Sequence, residues 1–149
     1  MELRTVRLGD PETEPVLADL ADEYRRRYGG DGEMRTTAPE EFDPPAGRFL
    51  VLVDRGETVA AGGYRYLAEG VCELKRMWTH PDRRRAGLGR RLLTALESEA
   101  RSAGYRRLLL ETGPAQPEAV ALYTAGGYEP VAPYGRYPTA LAFAKDLLG

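Results

Sequence analysis

Cysteine is nearly absent from this chain of 149 residues. Cys72 is the only one, which excludes an intrachain disulfide and argues against a cysteine-based metal site. It reads as a small buried apolar residue. Histidine is equally scarce, with His80 alone. An excess of one charge is missing too: 21 basic and 23 acidic residues leave a formal net charge of −2, which gives no global reason to expect nucleic acid as a partner. No apolar run approaches membrane-spanning length, so no membrane partner is expected. The stretch from Met1 to Arg7 lacks the apolar core of a signal peptide, and a cytoplasmic protein is the expectation. Internal repeats and low-complexity segments are also lacking.

What is present belongs to an ordinary soluble protein. Hydrophobic residues make up 42% and charged residues 30%, and the length fits one domain, 1–149, with a core of its own. Leu3, Val6 and Leu8 suggest a first strand closed by the turn-forming Gly9-Asp10-Pro11. Val16, Leu17, Leu20, Tyr24 and Tyr28 recur at helical spacing. The segment from Gly29 to Gly47, with Pro39, Pro44 and Pro45, reads as a loop with at most a short helical turn. Phe49–Val53 and Val59–Leu67 are β-rich runs joined by a hairpin turn at Asp54 to Glu57. Val71–Thr79 extends the meander, but the consecutive charges Lys75 and Arg76 break its alternation, so a bulge is expected there.

From Leu88 the positions Leu88, Leu92, Leu93, Leu96 and Ala100 mark a helix ending at Gly104. Leu108 to Leu110 has the pattern of a strand buried on both faces, parallel to the strand before the helix. Glu118–Ala125 gives a further helix, Tyr128–Val131 an extended segment, and Thr139–Lys145 a last strand. The fold class is α/β: a mixed central sheet, antiparallel in its N-terminal strands and parallel around the site, flanked by helices.

The most informative stretch runs from Thr79 to Leu93. Arg84, Gly87 and Gly89 set out an RxxGxG pattern directly before a helix, and five arginines (Arg83, Arg84, Arg85, Arg90 and Arg91) crowd around it. Glycine lets an anion approach the main chain, and the unpaired amides of a first helical turn point at that anion. A solvated helix start would also tolerate these arginines; the glycine spacing favours a phosphate cradle.

Taken with the strand Glu73–Thr79 and the segment Glu111–Tyr128, the stretch Arg84-Arg85-Ala86-Gly87-Leu88-Gly89 resembles the GNAT superfamily, the acyl-CoA-dependent N-acetyltransferases. The resemblance covers nearly the whole chain. It implies acetyl-CoA as co-substrate, no metal, and a primary amine of a small molecule as acceptor, with a protein or peptide amine, or a non-catalytic acyl-CoA-binding module, as the alternatives. It implies that Arg84, Arg85, Ala86, Gly87, Leu88, Gly89 and Arg90 form the pyrophosphate cradle. It also implies that the strand carrying Met77, Trp78 and Thr79 parts from its parallel neighbour to hold the pantetheine arm. Gln116 stands where many relatives have an asparagine on that arm, and keeps the amide on a longer stem.

Tyr123 takes the position of the tyrosine that protonates the departing thiolate, although core packing would equally explain an aromatic there. Glu73 falls where relatives place a carboxylate that takes the amine's proton, and its bland alternative is a structurally paired glutamate. His80, beside Pro81 at a strand end, reads as part of a turn. Candidates for the acceptor's walls are the loop from Gly29 to Gly47, Tyr64, Tyr66, and the segment Pro133–Pro138. With Tyr134, Arg136 and Tyr137, that segment fits either an anionic or aromatic acceptor or a subunit contact in a homodimer.

Overall fold

The continuous apolar run in the first half of the chain is a strand with two buried faces. In the computed structural model, which describes residues 1–29, 37–114, 116–135 and 137–148, that strand is β2 (Arg48–Asp54). Its Leu50 and Leu52 turn to one hydrophobic cluster, and Phe49, Val51 and Val53 to another. β1 (Glu2–Val6) and β3 (Glu57–Ala68) flank it, both antiparallel. The hairpin between β2 and β3 turns on Arg55 and Gly56, both at positive φ, the twist that matches two right-handed strands.

β4 (Val71–Thr79) pairs antiparallel with β3, and β5 (Arg107–Thr112) runs parallel to β4. β7 (Leu141–Asp146) then inserts between β5 and the short β6 (Glu129–Val131). The seven-stranded order is β1-β2-β3-β4-β5-β7-β6.

Helices cover the two faces unequally. α1 (Glu14–Tyr28) seals one face through Val16 and Leu20, which pack with Phe42, Phe49, Ala61 and Trp78. α2 (Leu88–Ser102) seals the other with Leu88, Leu92, Leu93, Leu96 and Ala100, the set its periodicity selected. Each buried leucine contributes roughly 1.5–3 kcal/mol of transfer free energy. α3 (Pro117–Ala125) packs Tyr123 into the same cluster. Among the described residues, the cluster under α1 draws on β1 to β4, and Leu108 and Leu110 of β5 are buried in the other cluster while Leu109 is half-buried. Burial of that run on both faces is therefore corrected to burial of one face. No helix among the described residues is long and apolar enough to cross a membrane.

One buried polar cluster ties α2 to the far end of the sheet. Glu97 accepts from the Tyr128 hydroxyl at 2.7 Å and from Lys145 Nζ at 3.1 and 3.2 Å, and Lys145 also donates to the Gly126 carbonyl at 2.9 Å. Burial first, and the bond to Glu97 second, push the Tyr128 phenol above its ordinary pKa.

Glu97→Ala leaves an ammonium and a hydroxyl without their acceptor and should lower unfolding free energy by about 2–4 kcal/mol in a denaturant titration. The alkaline limb has a definite sign. The folded Tyr128 phenol is harder to ionise than the unfolded one, so its contribution is complete below the unfolded value near ~10 and is lost as pH rises from there. The denaturation midpoint should fall above that pH, and fall less in Tyr128→Phe.

Candidate functional site

The site originates in a ladder that stops early. β4 and β5 pair at Val71 with Arg107, Cys72 with Leu108 and Glu73 with Leu109, and no further. Beyond this point β4 stays bonded to β3, whereas Leu110 to Thr112 stay bonded to β7. The two strands part, and from Leu74 on β4 is no longer paired with β5.

The expected bulge sits on the same stretch. Lys75 pairs with Gly63 and Trp78 with Ala61, so Arg76 and Met77 together oppose Gly62. Arg76 takes φ 59°, a left-handed conformation unusual for a side chain this long. Glycine opposite lets the Met77 side chain lie close, because a Cβ on Gly62 would displace the Met77 sulfur. Re-aimed by the bulge, Met77 packs against the α2 cluster, and Trp78 turns to the α1 face, where its indole N–H donates to Asp19 Oδ2 at 2.6 Å.

A cleft of about 960 Å³ fills the space between the strands, near the upper end of the range for ligand sites. Met77, Trp78 and Thr79 form one wall, and Gln116 and Tyr123 border it from α3. Arg84, Arg85, Gly87, Leu88, Gly89 and Arg90 line its end, and Glu73 lines it as well. Ala86 is the exception among the predicted residues. It lies between Arg85 and Gly87, both at positive φ, its methyl is exposed, and it does not border the cleft.

The cradle has the geometry of an open anion site. Gly87, at φ 77°, precedes α2 and makes no side-chain cap, and the first turn carries no acid. The first intrahelical bond of α2 is Arg91 N to Gly87 O at 3.0 Å, which leaves the amides of Leu88, Gly89 and Arg90 unclaimed within the helix. Arg83 is committed elsewhere, to Asp54. Arg84, Arg85 and Arg90 form no ion pair among the described residues. His80 belongs to the turn, as expected: its Nδ1 accepts from Asp82 N at 3.1 Å.

Tyr123 is packed in the core and also borders the cleft. It is 5% exposed, with its ring edge-on to Tyr128 at 5.6 Å and tilted to Phe143 at 6.3 Å. Burial, and then the proximity of Tyr24, push its phenol above the ordinary value. Cys72 is fully buried, its thiol pushed up to about 12 by burial, and is inert as a nucleophile. Gln116 is held by Thr112, whose hydroxyl lies 2.5 Å from its Oε1.

Glu73 is a buried, paired carboxylate. Arg65 Nε donates to its Oε1 at 3.0 Å, with a second guanidinium nitrogen 2.9 Å from the same oxygen, and Tyr134 donates its hydroxyl to Oε2 at 2.7 Å. Arg65 also binds Glu41 at 2.7 Å, and Lys75 stands 3.8 Å from Glu73. A carboxylate offers about four lone-pair sites, and these contacts take three, which leaves room on Oε2 for one more donor.

The proposed acceptor walls need correction. Tyr64 is fully buried against Tyr105, and Tyr66 is exposed; neither borders the cleft. They pair with Leu74 and Cys72, at or beside the closed part of the sheet. Tyr137 does border the cleft. Arg136, and residues 30–36 of the Gly29 to Gly47 loop, lie outside the described residues. Sequence reasoning missed Arg65, whose partners lie 8 and 24 residues away, and Glu111, whose only local signal was a carboxylate at the end of a parallel strand.

Comparison with known proteins agrees with this geometry. A family model described as Acetyltransferase (GNAT) family matches residues 15–128. An IAA acetyltransferase of Azospirillum brasilense is 43% identical over 104 residues, 67% of this chain and 68% of that protein. The uncharacterized N-acetyltransferase YjgM of Escherichia coli is 33% identical over 126 residues, covering 77% and 75%. Among solved structures, a Klebsiella pneumoniae protein described as an acyl-CoA N-acyltransferase superposes with a TM-score of 0.81 at 29% identity, covering 98% of this chain and 97% of that one. An aminoglycoside 6'-N-acetyltransferase complexed with coenzyme A shares the fold, with a TM-score of 0.73 at 21% identity over 99% and 97%. An early-ending β4–β5 ladder, an uncapped arginine-flanked helix start and these matches lead to one conclusion: the chain belongs to the GNAT family and is an acyl-CoA-dependent N-acetyltransferase.

Proposed function

We propose that this protein transfers an acetyl group from acetyl-CoA to a primary amine of a small molecule, by direct attack in a ternary complex. The observation that carries the reading is a coincidence in one cleft: the Met77 to Thr79 end of β4, which β5 does not pair, the uncapped start of α2 with its arginines, and Tyr123. Bound there, acetyl-CoA supplies an acyl group activated as a thioester. The residues fit it: Arg84, Arg85, Arg90 and the amides of Leu88 to Arg90 offer charge and donors to a pyrophosphate. The open main chain of Met77 to Thr79 offers strand-like pairing to the pantetheine arm, with Gln116 on the α3 side.

An amide on that edge stabilises the negative charge that develops on the carbonyl oxygen as the amine attacks. Tyr123 gives its proton to the departing thiolate, and its raised pKa keeps that proton in place at neutral pH. Glu73 attracts the ammonium of the acceptor and takes its proton directly or through water. The name of the Azospirillum relative, an IAA acetyltransferase, supports a small molecule over a protein as acceptor.

Tyr123→Phe should lower kcat by ~10²-fold or more while acetyl-CoA affinity stays within about twofold. Equal turnover would remove Tyr123 from the mechanism. Arg84→Glu should weaken acetyl-CoA binding at least ~ten-fold by calorimetry, more at low salt than at high; unchanged affinity would reject the cradle. Thiol release from acetyl-CoA in a panel of small amines, amino acids and peptides tests the acceptor class, and release with peptides alone would overturn the small-molecule reading.

A further inference from the structure

The loop before β7 is fastened to both parted strands through Tyr134 and its neighbour Gly135. The backbone amides of Tyr134 and Gly135 donate to Glu111 Oε2 of β5 at 3.0 and 3.1 Å. From the same residue the Tyr134 hydroxyl reaches Glu73 Oε2 of β4. A Cβ at Gly135 would fall on Glu111 Oε1, so a side chain there would push the carboxylate out of its bonds to the loop. Two amides converging on one carboxylate oxygen, with glycine giving that oxygen close approach, seat the loop on Glu111. Burial first, and the charge of Glu73 second, hold the Tyr134 phenol above its ordinary pKa, so it stays a donor at neutral pH.

We infer that Glu111 and Tyr134 form a positioning pair for the acceptor: Glu111 seats the Tyr134 backbone, and the seated phenol fixes the Glu73 carboxylate so that its remaining lone pair meets the ammonium. The inference rests on the proposed role of Glu73. Arg65 constrains Oε1 only, and a carboxylate held at one oxygen still turns about its last side-chain torsion. Tyr134 supplies the second point. Glu111 touches neither Glu73 nor the reacting atoms in this scheme; it acts through Tyr134, across the gap that the parting of β4 and β5 opens.

The test is a double-mutant cycle on the full chain, with Tyr134→Phe, Glu111→Ala and both together. Each single change should reduce kcat/KM for the best amine on the order of ten-fold, mainly through KM, with acetyl-CoA affinity within about twofold. Because Glu111 works through Tyr134, the double variant should be no worse than either single one. Glu111→Gln, whose amide oxygen can still accept from the two backbone N–H groups, should recover most of the loss, and it is the variant to use if Glu111→Ala folds poorly.

A readout without turnover is the chemical shift of the 13C-labelled Glu73 δ-carboxyl, assigned by its disappearance in Glu73→Gln. It should move in Tyr134→Phe, move in the same direction in Glu111→Ala, and return in Glu111→Gln. Additive losses, or a Glu73 signal unmoved by Glu111→Ala, would overturn the inference. Failure of every amine to release thiol with the wild-type chain would instead sink the proposed function, and the carboxyl signal would still decide whether the pair positions Glu73.

Discussion

From Leu74 to Thr79, the β4 backbone is bonded to β3 on one side and has no β5 partner on the other, and most of the molecule's useful geometry follows from that asymmetry. A strand that loses its ladder neighbour in the middle of a sheet needs other partners for its backbone groups. Here the parting is held open from both sides. The bulge at Arg76 and Met77 turns β4 away, and β7 keeps the end of β5 by pairing with Leu110 to Thr112. β4 then runs directly into the turn before α2, so the open edge and the open helix start face one cleft.

The two ends of that cleft are stabilised by different physics. The wall toward the cradle is anchored by apolar burial on opposite faces, Met77 on the α2 side and Trp78 on the α1 side, the latter also bonded to Asp19. Such anchoring is insensitive to salt and fixes the backbone while leaving its polar groups free. The end around Glu73 is organised by charge: Glu41, Arg65, Glu73 and Tyr134 form one connected chain of donors and acceptors. Buried pairing of this kind adds little net stability but a well-defined orientation, which suits a group that must meet an ammonium. Behind Tyr123, Glu97, Lys145 and Tyr128 do the same for the aromatic cluster that sets its ring.

Much of the fold was legible because its determinants are local. The period of Leu88, Leu92, Leu93, Leu96 and Ala100 selects the buried face of α2, and the turn at Arg55 and Gly56 closes β2 onto β3. The charge pair Lys75-Arg76 marked the bulge by breaking an alternation. Tyr64 was misjudged for the opposite reason. An aromatic on a strand gives the same local signal whether it lines a cleft or fills a core, and only its register opposite Leu74, on the face that α2 covers, decides for the core.

By itself the sequence determined the elements, their order, the glycine and arginine cradle at the start of α2, and the family, since each depends on residues a few positions apart. Tertiary structure alone decided that β7 inserts between β5 and β6, that the β4–β5 ladder ends at Glu73, and what Glu73 touches. Tyr134 lies 61 residues from Glu73, and Glu111 lies 23 from Tyr134. No periodicity or turn preference reaches across such separations. Those contacts exist because two strands part and a later loop is seated across the gap.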